Sequence, residues 1–335
     1  MTKYHQQGYG IVTVEKRNDN STVASELFAS YPVRLHLTGR TNESDNDTTI
    51  DINHFVARSL TCYILGYGGG LISGDKIHLF INVMNGARLI ITSQSTSKSF
   101  KAIPSRQETV VTTTAYVQKN ALLFLAPQPT QCFSKSKLRQ ETHIFLDSTP
   151  RMLVDSAPSL VLVDWFTGGR LGIDDGPWSF DMLGSQINIS YTQDNDFQLT
   201  KYSTVDSLSS QSQLFFRDTI FLSGGQELRQ HMKQYNVVCT LLLIGPLTDE
   251  TASFILKKFS SRRSYDDDQC HANGSTIHYD LNIGEGLNNH GLLVSCGTFH
   301  RAIYNHVLHG TILRVAATTI ETAGMCHGRD DVCFY

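Results

Sequence analysis

Two aspartates stand where the chain could hold a carboxylate rigidly. Asp75 follows a glycine-rich stretch that contains Gly68, Gly69, Gly70 and Gly74, and Asp164 closes an apolar run that starts at Leu160. Carboxylate oxygens suit hard or borderline divalent cations, with water in the remaining positions. A route along which such an ion moves needs few and weak ligands, because an ion held tightly does not travel on. The commoner use of such carboxylates is structural: they accept hydrogen bonds from turn amides or pair with a cation such as Lys98 or Arg170. A β-rich hydrolase could instead use Asp75 or Asp164 as its acid or base, but no spaced histidine or nucleophile completes that site.

The other candidate groups also have plainer readings. Gly69 to Gly74 has phosphate-loop spacing, but Asp75 stands where the loop needs lysine, and a strand rather than a helix follows. The dinucleotide fingerprint also requires a helix at that point. The plainer reading is a glycine-rich turn where backbone passes close to backbone. Ser97-Lys98 suggests a nucleophile pair, yet adjacent residues on a strand point to opposite faces. His300, His306 and His309 have no zinc spacing, and an exposed linker is the simpler reading of their segment. The seven cysteines form no C-x-x-C pair and read as buried thiols in a reducing compartment.

The elements that must position these residues are mostly strands. Residues 9 to 36 read as two strands joined at Asn18-Asp19-Asn20. Ile77, Leu79, Ile81 and Val83 alternate with His78, Phe80 and Asn82, and Asn85-Gly86 then predicts a hairpin that returns through Ala87 to Thr92. On that reading the hairpin brings Ser97 and Lys98 back towards the glycine run. Short β-branched or apolar runs recur at 109–118, 121–125, 142–146, 152–154, 160–165, 186–191, 237–244, 277–281 and 311–317, separated by turn residues. That frequency argues a mainly β protein. Helix is expected at 248–260, where Ala252, Ile255, Leu256 and Phe259 form an apolar stripe, and more weakly around 226–235.

The totals exclude several classes. The chain has 335 residues, is 40% hydrophobic and carries a net charge of -3, so no global field favours nucleic acid or an anionic membrane. No run reaches the apolar length of a spanning helix. Met1 to Gln7 lacks the apolar stretch of a signal peptide, so a cytoplasmic protein is expected. No composition break separates two domains. One domain over 1–335 is expected, with 38–53 a polar surface loop and 298–335 an atypical C-terminal segment.

Gly68-Gly69-Gly70-Leu71-Ile72-Ser73-Gly74-Asp75, then Thr92 to Lys98, resembles the signature of the urease accessory protein UreD family. Further matches follow in order at Tyr31 to Leu35, at Leu125 to Pro129 with Gln140, at Val163-Asp164-Trp165 with Gly169-Arg170, and at Leu313 to Ala317. The sequence departs from the family where glycine replaces serine before Gly169-Arg170. It also departs in the next segment, which is longer and lacks a glutamate; Asp175 is the nearest substitute. The resemblance implies a sheet wrapped in a helical, solenoid-like arrangement with about two short helices. It implies a non-enzymatic metallochaperone scaffold that binds UreF, and through it the GTPase UreG, on apo-urease. Such a scaffold supports nickel insertion and lysine carbamylation. Asp75 and Asp164 would then line an internal passage for nickel in transit, with no stably bound cofactor. A generic β-solenoid interaction protein without a metal role is the remaining alternative.

Overall fold

The computed structural model describes residues 7–38, 59–66, 69–148, 156–170, 172, 175–192, 212–260, 292–303 and 306–319. The first strands are Tyr9–Lys16 (β1), Thr22–Ala29 (β2), Val33–Thr38 (β3), Leu60–Gly66 (β4), Lys76–Val83 (β5) and Arg88–Ser93 (β6). Then come Ser97–Ser99 (β7), Thr109–Val117 (β8), Leu122–Leu125 (β9), Thr130–Cys132 (β10), Lys137–Asp147 (β11) and Ser159–Thr167 (β12). Met182–Thr192 (β13), Ser212–Leu222 (β14), Val237–Ile244 (β15), Leu292–Ile303 (β16) and His306–Ala317 (β17) complete the strands. Two helices are present among the described residues, Gln226–Met232 (α1) and Asp249–Ser260 (α2). The mainly β expectation, with two short helices, holds.

The strands form two sheets. One runs β14-β13-β11-β8-β5-β1-β2 and the other β16-β17-β15-β12-β9-β6-β4-β3, with β10 beside β12 and β7 beside β10. In the middle of the first sheet β5, β8, β11 and β13 are parallel; in the middle of the second so are β4, β6, β9 and β12. From β4 to β6 and again from β8 to β9 and β11 to β12, the chain passes from one sheet to the other and back. Each parallel crossover is therefore made by a strand of the opposite sheet, where most parallel sheets use a helix. Antiparallel pairs close both ends: β1 with β2 and β3 with β4 at one, and β13 with β14 and β15 with β17 at the other.

The central hairpin is corrected by this topology. The Asn85-Gly86 turn exists, with Gly86 at φ 71° and Ala87 N–H donating to Met84 O at 2.9 Å. Its flanking strands do not pair. Both edges of β5 are occupied, by β1 and β8, while β6 lies between β4 and β9 in the other sheet. The turn signal fixed the backbone conformation; strand pairing was decided by burial on both faces of β5, where Ile81 and Val83 face the core and Phe80 is also buried. Residues 9–36 hold parts of three strands, not two. The histidine segment read as a linker is strand, with His300 opposite His309 in the β16–β17 pair. The loop at 39–53, the runs at 152–154 and 277–281, and 320–335 lie outside the described residues.

The main core fills the space between the sheets, with Val12, Ile81, Leu89, Leu123, Ile144 and Leu162 among its fully buried members. A second cluster packs the outer face of β12 and β15, through Val161, Trp165 and Leu241, against Ala252 and Ile255 of α2. A third gathers Trp178, Phe166, Phe180 and Leu138. Trp178 is wholly buried at φ 60°, its indole N–H donating to Tyr235 O at 2.9 Å. Gly168 makes room for that ring, since a Cβ there would lie 2.9 Å from it.

The glycine run divides into two requirements. Gly69 has φ +76° with open space around it, whereas a Cβ on Gly70 would lie 2.7 Å from Lys98 O and from the Phe100 ring. Gly69→Ala should cost about 1 kcal/mol, the left-handed penalty alone. Gly70→Ala should cost more, because the backbone pairing of Leu71 N–H with Lys98 O at 2.7 Å must shift. Denaturant unfolding of both variants checks the order; an equal or reversed cost would show that the close approach is not required.

Candidate functional site

A cavity of about 230 Å³ lies between the two sheets, walled by β5, β8 and β11 on one side and by β4, β9 and β12 on the other. The loop from Ser93 to Lys98 and the backbone of Gly69 and Gly70 close one side of it. That loop is pinned locally: Ser93 Oγ donates to Ser95 O at 3.0 Å and accepts the Gln128 N–H at 2.8 Å. Of the residues singled out in the sequence, Asp164, Gln140, Ser97, Lys98, Gly69 and Gly70 meet at this cavity.

Asp164 enters it because of strand alternation. In β12 Leu160, Leu162 and Phe166 face between the sheets, and Asp164 shares their phase. Trp165 points the other way, into the cluster under α2, and its indole N–H donates to Pro127 O at 2.6 Å. The Asp-Trp pair thus puts a carboxylate inside and locks the strand from outside. Ser185 Oγ on β13 donates to Asp164 Oδ2 at 2.6 Å. Burial pushes the Asp164 carboxyl above its ordinary pKa; the Ser185 bond opposes that, and the neighbouring Asp218 carboxylate pushes it further up. Although protein surrounds it on all sides, part of its surface is open to the cavity.

A row of polar groups continues from this carboxylate between the sheets and ends at Arg314, whose side chain is 39% exposed. Arg314 Nη2 on β17 donates to Asp218 Oδ1 on β14 at 2.6 Å, joining the two sheets. Thr240 stands between Asp164 and Arg314 in strand register. Gln140 Oε1 and Thr240 Oγ1 are buried without a hydrogen-bond partner among the described residues. Unpaired buried acceptors of this kind cost free energy and are kept where a ligand or water completes them. Ser185, Asp218 and Arg314 were not singled out from the sequence. Their signal was present as a polar residue in the inward phase of an apolar strand: Ser185 between Leu183 and Ile187, Asp218 between Phe216 and Ile220, Arg314 beside Ile312.

Asp75 is placed elsewhere. Its carboxylate accepts the Ile72 N–H at 2.9 Å in a turn closed by Asp75 N–H to Ile72 O at 3.0 Å, outside the cavity lining. The structure therefore does not bring the two aspartates together, and Asp75 has the geometry of a turn acceptor. Gly74, at φ +86°, belongs to the same turn. Gly68 lies outside the described residues. Arg170 and Asp175 line a separate, shallow hollow with Phe100, Phe133, Lys101 and Lys135. There the Arg170 guanidinium sits 4.2 Å over the Phe133 ring, and Ser134 Oγ donates to Asp175 Oδ2 at 3.0 Å. Gly169, at φ 110°, makes the bend that carries Arg170 there and accepts from Gln131 Nε2 at 3.4 Å. No group of three or more histidine, cysteine, aspartate or glutamate side chains arranged to hold a metal occurs among the described residues. No helix among them is long and apolar enough to cross a membrane. Cys62 and Cys132 are buried thiols, pushed up by desolvation to about 11 and about 12.

Comparison with known proteins gives one consistent result. The family described as UreD urease accessory protein matches residues 6–323. A urease accessory protein D of Arabidopsis thaliana is 32% identical over 238 residues, 70% of this chain and 67% of that protein. The rice protein of the same name, from the indica subspecies, is 29% identical over 241 residues, 71% of this chain. The match spans 65% of the rice protein, a little under two thirds of its length. Over a shorter stretch, 38% of this chain and 37% of the relative, a urease accessory protein UreD of Sorangium cellulosum is 33% identical. The polar row around Asp164 and the glycine turn against Lys98 thus belong to a chain whose relatives are urease accessory proteins: it is a member of the UreD urease accessory protein family.

Proposed function

We propose that the chain is a cytoplasmic, non-enzymatic scaffold that passes nickel through the cavity between its sheets towards apo-urease. On this reading it is held in a complex by a UreF-like protein and a UreG-like GTPase. The observation that carries the reading is Asp164, a half-buried carboxylate open to the cavity between the sheets, which Gln140, with an Oε1 that has no hydrogen-bond partner among the described residues, also lines. Two oxygen donors of this kind, without a full ligand set, suit a cation in passage better than one at rest. Ser185 orients the carboxylate, and the Arg314–Asp218 pair keeps charge balanced beyond it. GTP hydrolysis belongs to the partner. A hydrolase reading would rest on Asp164 alone, since Asp75 takes the part of a turn acceptor away from the cavity.

The test pairs two measurements on Asp164→Ala and Gln140→Leu: yield of the accessory complex in pull-down, and activation of apo-urease at limiting nickel. The expected result is an intact complex with activation lower by about tenfold, equivalent to about 1.4 kcal/mol. Loss of complex and activation together would make Asp164 a structural acceptor only, and full activation in the double variant would remove the cavity from the mechanism.

Stability against pH gives a further expectation. The native pKa of Asp164 is raised, so between the unfolded carboxylate value, about 3.9, and the native value the folded state holds the extra proton. Wild-type stability therefore falls through that window as pH rises. Asp164→Asn should unfold at higher denaturant than wild type at neutral pH and show no advantage near pH 3. An advantage independent of pH would show that ionisation of this carboxyl is not the cost.

A further inference from the structure

The row of polar groups that starts at Asp164 runs between two apolar clusters. On one side lie Ile187, Phe216, Leu242 and Ile312 of the main core. On the other lie Phe166, Leu183, Ile220 and Val238 of the cluster around Trp178. Strand alternation puts the row there: Thr240 falls between Val238 and Leu242, and Asp218 between Phe216 and Ile220. The row leads outward, since the Asp218 side chain is 10% exposed and that of Arg314 39%.

Its groups are sparsely satisfied. Thr240 Oγ1 and Arg314 Nε are buried with no hydrogen-bond partner among the described residues. The strong contact is Arg314 Nη2 to Asp218 Oδ1 at 2.6 Å. Hydrocarbon in place of an inward-facing ion pair commonly leaves a fold as stable or more so. Stability alone therefore does not account for a charged pair at this position.

The cavity lining stops at Asp164; Thr240, Asp218 and Arg314 do not line it. A cation at Asp164 would find Asp218 next along the row, close enough for its charge to act on the Asp164 carboxyl. The Arg314 guanidinium cancels that attraction and sets a positive charge across the way out. A guanidinium does not lose its proton in a protein, and this one cannot swing aside without breaking its bond to Asp218. Lys98, the other cation at the cavity, differs. It is half-buried on the segment that closes the glycine side, and its ammonium rides on a flexible stem.

We infer that Arg314 is a fixed cation barrier: it closes the polar row beyond Asp164, so that a divalent cation in the cavity does not escape to solvent between β14 and β17. This rests on the nickel-passage reading and adds to it the residue that makes one side of the route a dead end. A positive side chain set in a polar conduit excludes cations electrostatically. Arg314 acts on the ion through its charge and does not ligate it, so it is a positioning residue.

The experiment uses the full chain in its accessory complex, loaded with nickel(II) and mixed with apo-urease in the presence of an excess of a coloured chelator. The rate of nickel capture is read from the chelator, and the nickel that reaches urease from elemental analysis. Arg314→Gln/Asp218→Asn keeps the row polar and strands no charge, and it should raise capture about tenfold. Arg314→Gln alone should leak at least as fast. Asp218→Asn keeps the guanidinium and should show no such rise. Arg314→Met/Asp218→Leu should stay as closed as wild type, because hydrocarbon fills the row. A pair with only a structural role would instead weaken both single variants alike, and denaturant midpoints of all four variants report the fold separately. Capture at the wild-type rate in the Gln/Asn pair, or an equal rise in Asp218→Asn, would overturn the barrier and leave the passage standing. Failure of the wild-type complex to carry any nickel to urease would overturn the passage and the barrier with it.

Discussion

Both edges of β5 are taken, by β1 and β8, so β6 cannot pair with it and joins β4 and β9 in the other sheet. Parallel neighbours cannot be joined by a tight turn, so the chain must leave the sheet after every strand and come back one place further along. In this molecule it returns through the opposite sheet. The space between the sheets is therefore closed at strand ends by the crossovers, as the cavity is by Gly69, Gly70 and the segment from Ser93 to Lys98. The polar row of Asp164, Ser185, Thr240, Asp218 and Arg314 runs from that space to the half-exposed Arg314, contributed by five different strands.

This explains which parts of the site were legible in the sequence. Alternation is local, so the inward phase of Asp164 and the outward phase of Trp165 follow from their neighbours on one strand. The positive φ at Gly69 and Gly86 is equally local, and residue type reports it directly. Strand partners are not local. Asn85-Gly86 specifies a turn but does not say whether the strand after it folds back in the same sheet. Ser185, Asp218 and Arg314 each break an apolar phase, but only the assembled sheets show that they converge on Asp164.

Asp75 illustrates the converse. A carboxylate after a glycine run and one after an apolar run look alike in sequence, because both follow an element that restrains them. Their surroundings separate them. Asp75 takes a turn N–H close to solvent, while Asp164 is enclosed and gains one hydroxyl donor, so burial governs its protonation. Residue type names the chemistry available, and depth decides whether it is used.

The enclosure also bears on how the chain reaches its native state. Lys76 pairs with Val110 and Lys137 with Met182, so each rung closes a long stretch of sequence before any contact repays the lost entropy. Tight antiparallel pairs, which form early and locally, occur only at the two ends of the stack. The middle strands must wait for their neighbours with both edges open, and such edges pair readily with other chains. Slow assembly of the central rungs, and not weakness of the finished core, is thus the stage at which this fold is most exposed to aggregation.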